Sequence, residues 1–91
     1  MFKHYLILLE NDYNKKMVCF HKLLSNTDDF IEIQKIKNKL LSLNIKFVTH
    51  LISTKDKSFK SVKQKDAFFE NALFITDYNH FLDIAKESKR S

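Results

Sequence analysis

The sequence predicts an α/β fold in which three to four mostly parallel strands pack with three to four helices. Two observations predict it. Three short segments are apolar on both alternating faces, and they are separated by segments with helical apolar spacing, which is the pattern of strands buried between helix layers. A chain of 91 residues has room for one hydrophobic core, so residues 1–91 read as a single domain. Nine Phe and three Tyr, with many Ile and Leu, supply that core without a disulfide or a metal.

Tyr5 to Leu9 is an unbroken apolar run that ends in Glu10, Asn11 and Asp12, and it reads as a strand buried on both faces. Residues 14–25 are ambiguous. Met17, Phe20 and Leu24 sit at helical spacing after Asn14, so the segment is read as a helix. Val18 and Phe20 also suit a returning strand, which would add an antiparallel member and turn the class toward an α+β sandwich. From Asp28 to Leu43, Phe30, Ile33, Ile36, Leu40 and Leu43 recur in steps of three and four, forming the apolar stripe of an amphipathic helix. Thr27 is the expected N-cap, Asp28 and Asp29 suit the positive end of the helix dipole, and Asn44 is placed to take a left-handed turn.

Ile45 to Ile52 has apolar residues on both faces and predicts an interior strand. A polar segment leads to a helix near Val62 to Asn71. Leu73 to Thr76 is a third short strand, and Asn79 to Glu87 a last helix with Phe81, Leu82 and Ala85 inward.

Gly and Pro are absent, which excludes the Gly-dependent phosphate loops and dinucleotide fingerprints, so no cofactor is expected. The longest apolar run is too short to span a membrane, and no signal-peptide pattern opens the chain, so the protein reads as cytoplasmic. The single Cys19 reads as a small buried apolar side chain. If residues 14–25 formed a strand, Cys19 and His21 would share a face, but no third residue completes a catalytic set. The four His lack the short spacing of a zinc site, so no metal is expected. The stretch from Leu8 to Met17 resembles the first strand and acidic turn of response-regulator receiver domains. It covers a minor part of the chain, and no residue roles are carried over from that family.

The net charge is +5, and all but one of the basic residues are Lys. Lys, Asn, Ile, Phe and Tyr use AT-rich codons, so genome composition accounts for part of that excess. The charge is nevertheless clustered: Lys55, Lys57, Lys60, Lys63 and Lys65 stand against Asp56 alone. With Phe59 among them, these residues form a candidate nucleic-acid-binding loop, in which Lys neutralises phosphate and the ring offers a stacking face.

Ligand sites in open α/β sheets gather beyond the carboxyl ends of strands. On that rule Glu10, Asp12 and Asp77 are candidates for a metal-dependent phosphoryl-transfer or nuclease-type centre, and this enzyme reading ranks last. The leading expectation is a small non-catalytic binding or regulatory protein, of the kind carried by phages or mobile elements, that acts by protein–protein interaction. A protein partner is expected and a homodimer is included in that reading, because nine Phe in so small a domain favour an exposed apolar surface.

Overall fold

A computed structural model describes residues 1–9 and 17–90. Four strands form one mixed sheet: β1 (Phe2–Leu9), β2 (Val18–Leu24), β3 (Phe47–Thr54) and β4 (Leu73–Ile75), in the spatial order β3-β1-β2-β4. Three helices, α1 (Thr27–Ser42), α2 (Phe59–Lys65) and α3 (Tyr78–Arg90), cover it, with a 3-10 turn at Ala67–Phe69. None of the helices is long and apolar enough to cross a membrane.

The mostly parallel sheet expected from sequence is corrected: β1 pairs antiparallel with both β2 and β3, and only β2 and β4 pair in parallel. The cause is residues 14–25, which carry β2 in place of the expected helix. Along β2 the side chains alternate in destination. Val18, Phe20 and Leu24 pack toward the core beneath α1 and α3, and Cys19 lies in the core on the opposite face. The two-residue period therefore prevails over the helical spacing of Met17, Phe20 and Leu24, because β1 offers a buried partner in register, with Ile7 opposite Phe20 and Leu6 opposite His21.

β1 is central, and both its faces are covered. Ile7 and Leu9 join Phe20, Ile33, Ile36, Leu40, Phe81, Leu82 and Ala85 in one core, while Leu6 and Leu8 join Cys19, Val62, Phe69 and Ala72 in the other. The helices are distributed accordingly, with α1 and α3 on one face and α2 with the 3-10 turn on the second. Strands β2, β3 and β4 all run opposite to β1. The chain crosses from β2 to β3 in one direction and returns from β3 to β4 in the other, so placing α1 and α2 on opposite faces gives both crossovers the same hand.

α1 starts one residue earlier than expected, and its cap is Asn26, not Thr27. The Asn26 side chain accepts from the Asp29 backbone N–H at 3.2 Å, and Asp29 accepts from the Asn26 N–H at 3.1 Å, forming a reciprocal capping box. Ile33, Ile36 and Leu40 are buried, each contributing roughly 1.5–3 kcal/mol. Phe30, expected in the same stripe, is 51% exposed. After the helix Asn44 adopts φ 58°, the left-handed turn expected of it.

The expected helix over Val62 to Asn71 begins earlier and breaks at Asp66, which is extended and whose side chain accepts from the Phe68 N–H at 3.0 Å. That local bond diverts the chain from helix into the 3-10 turn. β4 and α3 stand where the sequence places them, with Phe81, Leu82 and Ala85 buried.

Candidate functional site

β3 was expected inside the sheet, but it is an edge strand. Its only strand partner among the described residues is β1, so the outer row of backbone N–H and C=O groups faces away from the sheet. Apolar residues on both its faces reflect exposure and not burial between two layers: Val48 is 48% and Leu51 55% exposed. Phe68, 56% exposed, continues the apolar surface on the Val48 side, where its ring lies 6.2 Å from that of His50. From Phe47 to Thr54 the strand itself has no Lys, Arg, Asp, Glu or Pro, the residues that commonly blunt an edge, although Lys65 of α2 reaches its Ser53 carbonyl near one end. Lys46 and Lys55 bracket it.

At the end of β3, on the face covered by α2, lies a buried polar network. His4 Nε2 is 2.7 Å from Thr54 Oγ1 and 3.0 Å from the Asp56 carbonyl oxygen. A carbonyl only accepts, so this ring nitrogen carries a proton and is not poised as a base toward Thr54. Thr54 in turn donates to the same carbonyl at 2.7 Å and contacts Ser61 Oγ at 2.8 Å. On the other side of the ring, His4 Nδ1 meets His21 Nε2 at 2.8 Å. One proton serves that contact, and charging both rings would set two N–H groups against each other.

Burial, with a smaller contribution from neighbouring His4, pushes the His21 imidazole down to about 4. His21 therefore stays neutral near pH 7. A shallow depression of about 380 Å³ opens beside Thr54 and Ser61, rimmed by Lys55, Gln64 and Lys65. The donors and acceptors of the network are satisfied within it, and no buried side-chain N or O atom lacks a partner among the described residues. Its chemistry is that of a latch joining β1, β2, β3 and α2.

Cys19 shares a face with His21, as a strand requires. Burial pushes its thiol up to about 12, against a smaller opposing effect of Lys63, so it is an apolar core group and not a nucleophile. The sequence spacing of the four His gives no hint that His4 and His21 meet. The signal that could have found them is alternation: His4 continues the Leu6 and Leu8 face of β1, and His21 continues the Cys19 face of β2.

The basic segment is partly structured. Lys57 lies 5.5 Å from the Phe2 ring, Lys63 lies over Phe59 and Phe74 at 5.6 and 5.4 Å, and Lys65 donates to the Ser53 carbonyl. Phe59 packs its ring against Phe74, with centroids 5.2 Å apart, and is still 38% exposed. Lys55, Lys57, Lys60 and Lys65 are exposed, and Lys63 is half-buried.

Of the candidate carboxylates Glu10, Asp12 and Asp77, only Asp77 is among the described residues. β1 runs opposite to β3, so its carboxyl end at Leu9 lies beside Phe47, at the far end of the sheet from Thr54. Glu10 and Asp12 lie outside the described residues. Asp77 accepts from the His80 N–H at 2.9 Å at the start of α3, and no metal-binding group of three His, Cys, Asp or Glu occurs among the described residues. Comparison of the chain with known protein families, curated proteins and solved structures finds no match.

Proposed function

We propose that this chain is a small non-catalytic binding protein that works by protein–protein interaction, with the outer edge of β3 as its contact surface. One observation carries the reading: an eight-residue edge strand without a charged residue or Pro, bearing exposed Val48 and Leu51 and flanked by Phe68. Such an edge accepts an extended strand through main-chain hydrogen bonds, and the alternating side chains supply the selectivity.

Differential capture from nuclease-treated extract tests it, comparing the chain with its Leu51→Lys variant, whose substitution is on the surface and outside the core. A partner retained by the parent and lost by the variant, with amide exchange slowed within β3 in the complex, is the expected result. Equal retention by both chains would remove β3 as the contact surface.

Nucleic-acid binding through Lys55, Lys57, Phe59, Lys60, Lys63 and Lys65 has less support, because Lys63 and Lys65 already make contacts within the chain and Phe59 is a single partly packed ring. It predicts RNA or DNA affinity that falls steeply with salt, with a shallower slope once Lys57, Lys60 and Lys63 are neutralised. Affinity insensitive to that triple change would sink it.

A further inference from the structure

Resting on that reading of β3, we propose that its edge takes the extended carboxyl-terminal tail of a protein partner, running parallel to β3 with its terminal carboxylate held by Lys65 and Lys55. Backbone alternation identifies the groups that can pair. The Leu73 N–H donates to the Met17 carbonyl at 2.8 Å, so from Met17 onward the odd-numbered residues turn their backbone groups toward β4 and the even-numbered ones toward β1. Carried through the registers of β1 with β2 and β3, the same alternation points Val48, His50 and Ile52 at β1, and Phe47, Thr49, Leu51 and Ser53 outward. The Ser53 carbonyl already accepts from the Lys65 ammonium. Phe47, Thr49 and Leu51 are left to pair with an added strand of about six residues.

Lys65 also decides what kind of segment fits. A strand that continued past Ser53 would lose its ladder there, whereas a chain that ends there loses nothing. An ammonium has three donors, so its bond to Ser53 leaves two for an anion. Lys65 and Lys55 are both exposed and line the same depression of about 380 Å³. Asp56 lines it too, but its carboxylate accepts from the Ser58 N–H at 3.0 Å and stands between Lys55 and Lys57 in sequence. A terminal carboxylate arriving at Ser53 therefore meets two ammonium groups, and an amino terminus would be repelled, which fixes the direction as parallel to β3. At the other end exposed Lys46 suits an acidic residue where the tail begins. Between the two ends, alternate side chains of the tail lie beside Leu51 on one face and beside Val48 and Phe68 on the other, which selects apolar or β-branched residues.

A library of random hexapeptides displayed at the free carboxyl end of a carrier protein, panned on the intact chain, tests the proposal. Tails with apolar or β-branched residues should be enriched, and a synthetic peptide of the enriched sequence should slow amide exchange at Phe47, Thr49 and Leu51. Blocking its carboxyl end as the amide should weaken binding at least tenfold, as should Lys55→Gln combined with Lys65→Gln. Lys35→Gln, at an exposed position of α1, should leave binding unchanged, with far-UV circular dichroism confirming that each variant is folded. No enrichment, or equal affinity of acid and amide, would overturn carboxylate capture, and so would equal affinity when further residues follow the same sequence. A partner still lost from the Leu51→Lys chain in the capture comparison would then leave β3 as a contact edge without a terminal carboxylate, so the two failures are distinguishable.

Discussion

His21 shows most directly how position changes the chemistry of one side chain. An exposed imidazole titrates near pH 6.5, whereas this one, buried against His4, is pushed down to about 4. Between those values the unfolded chain binds a proton that the folded chain refuses. Its contribution to stability is therefore intact above about pH 6.5 and is lost as pH falls toward 4. Allowing for residual solvent screening, roughly 1–2 kcal/mol is at stake. Urea denaturation at pH 7 and pH 4.5 should show that loss in the parent chain, and His21→Phe should make the curve flatter over the same range. An unchanged pH slope in the variant would mean that another group is responsible. Little of this was legible in the sequence, where His4 and His21 are separated by seventeen positions and are brought together only by the pairing of β1 with β2.

Among the elements, α1 was the most legible because a long helix repeats its signal over several turns. Ile33, Ile36 and Leu40 marked its buried face correctly. Phe30 did not follow and is 51% exposed. The cap was misplaced by one residue, since Asn26 and Thr27 are both good caps and only the Asp29 bond decides between them. Asn26→Ala should lower stability by about 1 kcal/mol, while Thr27→Ala should cost a few tenths or less; thermal or urea denaturation of the two variants separates them. Asn44→Ala should cost about 1 kcal/mol, because a Cβ without the Asn side-chain bonding is disfavoured at φ 58°, and Asn44→Gly should be neutral or slightly stabilising. β2 and β3 were harder to read. Short runs of mixed period do not distinguish helix from strand, and apolar residues on both faces of a strand describe an open edge as readily as a buried centre.

For the whole molecule, the alternation of strands and helices identified a layered α/β arrangement but not the direction of its strands. That direction sets where the ends of the strands lie. Had β1 run parallel to β3 and β4, the carboxyl ends of the strands would have converged as the sequence reading supposed. Because it runs the other way, those ends are divided between opposite ends of the sheet. The same strand holds the two cores together, with Ile7 on one face and Leu6 on the other, both fully buried. Ile7→Ala and Leu6→Ala should each cost about 3 kcal/mol, and circular dichroism and Tyr fluorescence should report one shared transition in both variants. Separate transitions would show that the two layers unfold independently.

β1 leaves the ribosome before the other three strands, and β2 follows soon enough to pair with it by a local closure, Leu8 meeting Cys19. The opposite edge of β1 must wait until β3 has been synthesised, since Leu9 meets Phe47. During that interval the nascent sheet ends at β1, whose apolar faces are more hazardous to expose than those of β3. β3, one of the two edge strands of the finished sheet, is thus the strand whose arrival shields the emerging chain.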